Sequence, residues 1–184
     1  MLGDNLNKPI FEKFSLLSII TLAMRKILLT LLICGFAASA GAQSITLLNL
    51  MNLTSLNNQQ AADDIAARKA FKLQYGEEVD GFLVEGYTTT APPKKLETII
   101  VGRGFKLASG GVLHTASYVS ANPQDVINLI GQVKGANLKQ TFHGADNKDN
   151  IYIYDSFLYH MIVRMSFDGT RSTVDVSQKQ VFVE

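Results

Sequence analysis

The segment LYHMIVRMSFDGTRSTVDVSQ, residues 158–178, alternates in polarity and then carries a turn signal. From Tyr159 to Phe167 every second residue is apolar or amphipathic, while His160 and Arg164 occupy positions between them. This period of two predicts a β-strand with one buried and one wetter face. Asp168-Gly169 then predicts a hairpin turn, because both residues tolerate positive φ. The stretch therefore predicts an antiparallel sheet.

Six further segments have strand character. β-Branched and aromatic residues are frequent in them, and Gly, Asn and Asp separate them. They are FKLQY, GFLVEGYTTT, LETIIVGRG, VLHTASYV, LKQTFHG and NIYIYDSF. For residues 92–102 two interpretations stay open: Pro92-Pro93 could begin a helix, whereas the run of β-branched residues that follows favours a strand.

Two regions predict helices. In NPQDVINLIGQVKG, Asn122 is a suitable N-cap, Pro123 fits the first helical position, and Gly135 is the expected C-terminal stop. The segment SITLLNLMNLTSLNNQQAADDIAARKAF predicts two shorter helices, the second capped by Asn57 or Asn58.

The order of these elements is helical region, four strands, helix, four strands. We therefore predict an α+β fold of tandem αββββ units, with antiparallel sheet(s) and the helices packed on one face. The first unit is predicted at residues 43–121 and the second at 122–184. RKAFKLQ and VKGANLKQ each mark a helix-to-strand transition and suggest an internal repeat, although GRGFKL resembles the first of them nearly as well.

The segment MRKILLTLLICGFAASAGAQS has the three-part layout of a signal peptide: basic residues, an apolar run and small residues. We predict a signal peptide at residues 24–42, cleaved after Ala42 or, as the second choice, after Ala40. Residues 1–23 are then an upstream extension outside the mature protein. A membrane span is disfavoured, because joining the upstream apolar stretch would bury Arg25 and Lys26 at a cost of about 2.5–3.5 kcal/mol each.

Cleavage at this point also discards Cys34, the one cysteine of the chain. Ile33 precedes it, which does not fit the small residue that a lipoprotein signal requires. Disulfides, thiol nucleophiles and cysteine metal sites are therefore not expected. The leader and extension remove four basic and two acidic residues from totals of 17 and 16, which leaves 13 and 14. This balance predicts neither nucleic acid nor an anionic membrane as a partner.

No catalytic or metal motif is present in the sequence. His114, His143 and His160 are not spaced as metal ligands, although a fold could bring His114 and His160 together on adjacent strands. There is no GxSxG, and Gly102-Arg103-Gly104 is better explained as a bend or bulge than as a phosphate loop. The ADNKDN segment lacks the ligand spacing of a calcium loop and predicts a polar turn. We predict no metal, no cofactor and no enzyme activity.

The remaining feature is a group of aromatic residues in NIYIYDSFLY, where alternation places Tyr152 and Tyr154 on the same face of a strand. Tyrosines on a sheet are good interface anchors, because they bury a large ring and keep a wet hydroxyl. Tyr152 and Tyr154 are therefore the candidate protein interface; the alternative is that they cover the core beneath the helices.

In its order of elements the chain resembles beta-lactamase inhibitory protein and small exported bacterial proteins of uncharacterised role, although the inhibitor's disulfides are absent. The resemblance implies a periplasmic module that binds another protein. We predict a non-enzymatic, exported, inhibitor- or immunity-like protein. The alternatives are a small hydrolase using His114, His143 or His160 and a carrier with a pocket between helices and sheet.

Overall fold

The computed structural model describes residues 45–181, which form three α-helices, one 3-10 turn and a single eight-stranded antiparallel sheet. The predicted α+β fold of two αββββ units is confirmed, and all eight predicted strands are present. The signal peptide predicted at residues 24–42, its cleavage site and Cys34 lie outside the described residues.

The first unit begins with two helices and the second with one. In chain order the elements of the first unit are α1 Leu47–Leu53, α2 Asn58–Ala67, β1 Phe71–Val79, β2 Phe82–Thr89, the 3-10 turn Pro93–Lys95, β3 Glu97–Lys106 and β4 Val112–Ser120. Those of the second unit are α3 Pro123–Ile130, β5 Lys139–Ala145, β6 Asp149–Asp155, β7 Tyr159–Ser166 and β8 Ser172–Gln178.

The helices begin where the capping residues predict. The side chains of Asn57 and Asn122 accept hydrogen bonds from the first-turn backbone of α2 and α3, which satisfies otherwise unpaired N–H groups. The predicted stop at Gly135 is wrong, because α3 ends at Ile130 and the chain continues in tight turns. The residue with positive φ after this helix is Asn137, at 55°.

Residues 92–102, left open by the sequence, are mostly strand. Pro92 and Pro93 begin only one 3-10 turn, and β3 starts at Glu97. The buried β-branched run of β3 decides this outcome, since these side chains pack on the sheet. GRGFKL therefore lies largely inside β3 and does not mark a helix-to-strand transition.

The hairpin between β7 and β8 is confirmed, but its turn differs from the prediction. Five residues separate the two strands, and only Gly169 has positive φ, at 67°. Positive φ at two successive residues occurs instead at Asp80 and Gly81, between β1 and β2. This Asp-Gly pair joins its strands with no other residues between them and is the tight hairpin turn that matches the strand twist.

The strand order is β1-β2-β3-β4-β8-β7-β6-β5, so the two units meet at the β4–β8 pair. Helices α1 and α3 pack on β4 and β8, and α2 packs on β1, β2 and β3. The core lies between these helices and one face of the sheet, with Leu50, Tyr118 and Val174 fully buried. Within residues 45–181 no helix is long and apolar enough to cross a membrane.

From each edge of the sheet to its centre, the four strands of one unit follow in chain order. Each strand of the first unit therefore has a counterpart in the second, with β4 corresponding to β8 and β1 to β5. Ser117 of β4 pairs with Asp175 of β8 at the centre, and the next strands outward carry Ile100 and Ile162. We call this line of paired residues the central row. Across the sheet it reads Tyr75, Gly86, Ile100, Ser117, Asp175, Ile162, Ile153 and Phe142.

Candidate functional site

The face of the sheet opposite the helix-packed core, called here the open face, carries the central row. Val84 and Ile100 are buried on this face outside the helix-side core. Phe105 of the first unit and Phe142 of the second are 68% and 48% exposed, and the strand register places both on the open face. The open face is therefore a broad, partly apolar surface to which both units contribute.

A cleft of about 690 Å³ lies on the open face where the two units meet. Its floor includes Ile100 and Val119, and its rim comes from the turns between β5 and β6 and between β7 and β8. The polar lining comprises Arg103, Ser117, Asn147, Lys148, Asp149, Arg164, Ser166, Asp168, Thr170, Arg171, Thr173 and Asp175. Its volume falls in the range of ligand sites, and its mixed charge suits polar recognition.

The centre of the cleft is a hydrogen-bonded group of three side chains. The Ser117 hydroxyl donates to Asp175 Oδ1 at 2.6 Å, and Arg164 Nη1 lies 3.0 Å from Asp175 Oδ2. Ser117 is buried, while Arg164 and Asp175 keep 41% and 29% of their side chains exposed. Both carboxylate oxygens of Asp175 are therefore engaged, and its charge is balanced by Arg164.

Arg103 reaches the cleft because of a β-bulge. Val101 and Gly102 together face one residue of β4, so the register with β4 shifts between Ile100 and Arg103. The extra residue places Arg103 on the open face, where simple alternation from Ile100 would turn it to the helices. Gly102 has φ of 91°, and a Cβ there would collide with the Leu83 carbonyl oxygen, so this position requires glycine. The bulge expected from the sequence at this motif is present.

Two more cations, Lys148 and Arg171, line the rim of the cleft, and both are exposed. Four side-chain ion pairs occur within residues 45–181, and Arg103, Lys148 and Arg171 take part in none of them. Of the three lining carboxylates, Asp175 is paired with Arg164, and Asp168 accepts hydrogen bonds from Thr170 within its own turn. Asp149, the third lining carboxylate, forms no ion pair within residues 45–181, and Arg103, Lys148 and Arg171 remain outside the ion pairs of the described chain.

A second polar group lies on the open face at the start of β7. His160 Nδ1 is 2.9 Å from Asp155 Oδ1, and Thr141 and Lys179 also donate to this carboxylate at 2.7 and 3.2 Å. Partial burial alone would raise the pKa of Asp155, but these hydrogen bonds outweigh it and lower the pKa to about 2. In β8, Ser177 is the cross-strand neighbour of His160.

The three histidines do not converge. Strand β8 separates His114 on β4 from His160 on β7, so the sequence-based possibility that they meet on adjacent strands is wrong. His143 stacks on Tyr152 with ring centroids 4.4 Å apart. Within the described part of the chain, no group of three or more His, Cys, Asp or Glu residues is placed to hold a metal ion.

Tyr152 and Tyr154, the candidate interface from the sequence, do share a face of β6, and that face points to the helices. Tyr154 is 4% exposed within the core, and Tyr152 is half-buried against it. Burial raises the pKa of Tyr154, with a further contribution from Tyr152. The free area of Tyr154 is thus small, and the larger uncovered surface lies on the opposite side of the sheet.

Sequence reasoning missed the cleft and its arginines. The signal was present in the alternation around Arg164, but alternation within one strand does not say which side chains of other strands share its face. The ADNKDN turn was interpreted correctly: Asp146 accepts the backbone N–H groups of Lys148 and Asp149, which lower its pKa. Comparison with family models, curated proteins and solved structures finds no match to this chain.

Proposed function

We propose that the chain is an exported, non-enzymatic protein that binds another protein on the open face of its sheet. The observation that carries this proposal is that the described helices pack on one face of the sheet, while the other face offers exposed Phe105 and Phe142 and a cleft with many polar side chains. Aromatic side chains are enriched in protein interfaces and often act as their anchors.

The extent of the open face also supports a macromolecular partner. Eight strands at about 4.8 Å spacing span roughly 34 Å, which is the width of a standard protein interface. The leader predicted at residues 24–42 supports a location in the periplasm or outside the cell. An inhibitor- or immunity-like role follows from the resemblance in element order, and an internal duplication is the simplest origin of the two units.

The proposal is tested by capture of partners from periplasmic extract, with matched variants of the bait. Phe105→Ala and Phe142→Ala remove apolar side chains from the open face. Ile127→Ala is the control, because Ile127 is 46% exposed on helix α3, on the other side of the sheet.

A specific partner should be lost from the two phenylalanine variants, by about tenfold or more, and retained by the control. Equal capture by all four proteins would contradict binding on the open face. Far-UV circular dichroism shows whether each variant is folded.

A small hydrolase is the second candidate, favoured by the Asp155–His160 pair with Ser177 beside it. In such an enzyme Asp155 would orient the imidazole, and the other ring nitrogen would act as a base. Hydrolysis of a p-nitrophenyl ester that disappears in His160→Ala and persists in His143→Ala would support this candidate. Equal background rates in all three proteins would contradict it.

A further inference from the structure

Two arginines occupy corresponding positions around the central Ser117–Asp175 pair. Arg103 on β3 is paired across the sheet with Thr115, and Arg164 on β7 is paired with Thr173. Each threonine lies two residues from the central residue of its own strand, so the arrangement is the same in both units. The bulge at Gly102 is what gives the first unit this arginine position.

The two arginines differ in their partners. Arg164 is held by the carboxylate of Asp175, at 3.0 Å. In the first unit the residue corresponding to Asp175 is Ser117, which has no charge and donates its hydroxyl to Asp175. Arg103 is therefore exposed and has no carboxylate at the place where the second unit supplies one.

Exposed arginine is common, but two features distinguish Arg103. Its orientation depends on a bulge that only glycine accommodates, and bulges recur where a strand must re-aim a side chain at a functional site. The floor beside it is apolar, with Ile100 buried, and such surroundings strengthen a charge-assisted hydrogen bond. Lys148 and Arg171 line the same cleft together with Asp149 and Asp168, so that its four cations exceed its three carboxylates by one.

We infer that the cleft accepts an aspartate or glutamate side chain of the partner protein, with its carboxylate bound by the guanidinium of Arg103. The inference rests on the proposed protein-binding function and names the chemistry of its central contact. A planar guanidinium can bind both oxygens of a carboxylate, which lysine cannot do. The bound carboxylate forms an ion pair with Arg103, as Asp175 does with Arg164 in the second unit.

A direct test measures binding of a short glutamate-rich peptide with blocked termini to the full chain, with a glutamine-rich peptide of the same length as the reference. The glutamate peptide should bind at least about tenfold more tightly, and its affinity should fall as salt is raised from about 0.05 to 0.5 M. Arg103→Gln should weaken binding of the glutamate peptide about tenfold, and Arg103→Lys should bind it with an affinity between those of Arg103→Gln and the wild type. Lys134→Gln, which removes the same charge from an exposed turn after α3, should have no effect.

Three results would overturn the inference: unchanged binding by Arg103→Gln, equal loss in Lys134→Gln, or equal affinity for both peptides. Free glutamate and inorganic phosphate are further probes. Binding of either as tightly as the peptide would also overturn the assignment to a protein side chain. Unfolding curves of Arg103→Gln that match the wild type exclude loss of structure as the cause.

Partner capture separates this inference from the proposed function. A partner lost from Phe105→Ala and Phe142→Ala but retained by Arg103→Gln contradicts the carboxylate contact and leaves the protein-binding function standing. Arginine-dependent peptide binding without any captured protein contradicts the protein-binding function and leaves the carboxylate site standing.

Discussion

The two αββββ units share one architecture and differ in chemistry at corresponding positions. Tyr87 in the first unit and Tyr154 in the second are both buried beneath the helices, at 5% and 4% exposure. On the open face the counterparts diverge: Arg164 has Asp175 as its partner, whereas Arg103 stands beside the uncharged Ser117. At these positions the helix-side residue is the same in the two units, whereas the open-face residues differ in charge.

A second pair of positions shows the same divergence. In the first unit Thr88 contacts Thr98 at 3.0 Å and donates to Gln74 at 2.6 Å. The corresponding contacts of the second unit join Asp155 to His160 at 2.9 Å and to Thr141 at 2.7 Å. A neutral group in one unit therefore occupies the place of an ionisable group in the other. At the compared positions the open face differs in charge between two units of the same architecture, whereas the buried tyrosines of the helix-side face are the same.

The largest expected effect is on the feature that the units share. Tyr154→Ala and Tyr87→Ala should each lower the free energy of unfolding by about 3–5 kcal/mol, because each leaves a cavity in the core. Urea denaturation followed by circular dichroism measures this, since the chain has no tryptophan. A single transition in both variants indicates that the two units unfold together. A loss below about 1 kcal/mol in Tyr154→Ala would show that its ring is outside the core.

The next effect concerns the bulge at Gly102 in β3, which has no counterpart in β7 of the second unit. Gly102→Ala should cost about 2–4 kcal/mol, because the new Cβ meets the Leu83 carbonyl in a backbone with φ of 91°. Gly110→Ala is a matched control: its φ is 85°, but no atom lies within 4 Å of the added Cβ. The control should lose only about 1 kcal/mol in the same denaturation experiment. Equal losses would show that the close approach at Gly102 is unimportant.

The two arginines should differ in their contribution to stability. Arg164→Gln should lower the free energy of unfolding by about 1 kcal/mol, because it leaves the half-buried Asp175 without its cation. Arg103→Gln should change it by less than about 0.5 kcal/mol, since the described chain provides no ion pair for this residue. A larger loss for Arg103 than for Arg164 would reverse the assignment of the paired and unpaired arginine.

The smallest effect is a pH dependence confined to the second unit. The pKa of Asp155, about 2 in the folded chain, lies below the value of about 3.9 in an unfolded chain. Its contribution to stability is therefore complete above about pH 5 and is lost as the pH falls through 2. The full shift corresponds to about 2.6 kcal/mol, but solvent screens the partly exposed Asp155 and its partners. Asp155→Asn should therefore be less stable than wild type at pH 7 by less than about 1 kcal/mol, and nearly equally stable near pH 2.

Thr88→Val at the corresponding position of the first unit provides the control. Its cost should be the same at both pH values, because no ionisable group is removed. Denaturation curves at pH 7 and pH 2 compare the two variants. If Asp155→Asn is less stable than the wild type by the same free energy at pH 2 as at pH 7, the assigned pKa shift is contradicted.

Much of the fold could be predicted because it depends on local patterns. The capping residues Asn57 and Asn122 predicted the starts of their helices, and the alternation along β7 predicted a strand with one buried face. The errors were also local: Gly135 does not end α3, and Asp168-Gly169 is part of a longer loop. In both cases several neighbouring residues could form the turn, and the local sequence does not show which of them does so.

The candidate site could not be predicted in the same way. The prediction that Tyr152 and Tyr154 share one face of a strand was correct, but alternation does not show which face of the sheet the helices cover. The contact between Ser117 and Asp175 joins residues 58 positions apart in the chain. Such a contact depends on the register of β4 with β8, which no motif encodes.

Local patterns were sufficient to predict the kind of elements, their order and the caps of α2 and α3, because these follow from the geometry of neighbouring residues. The three-dimensional structure was needed to show that the two units join through β4 and β8, that Tyr154 lies in the core, and that Arg103 and Arg164 share the open face. The physical reason is that strand pairing is non-local: a shift of one residue moves every side chain of a strand to the other face.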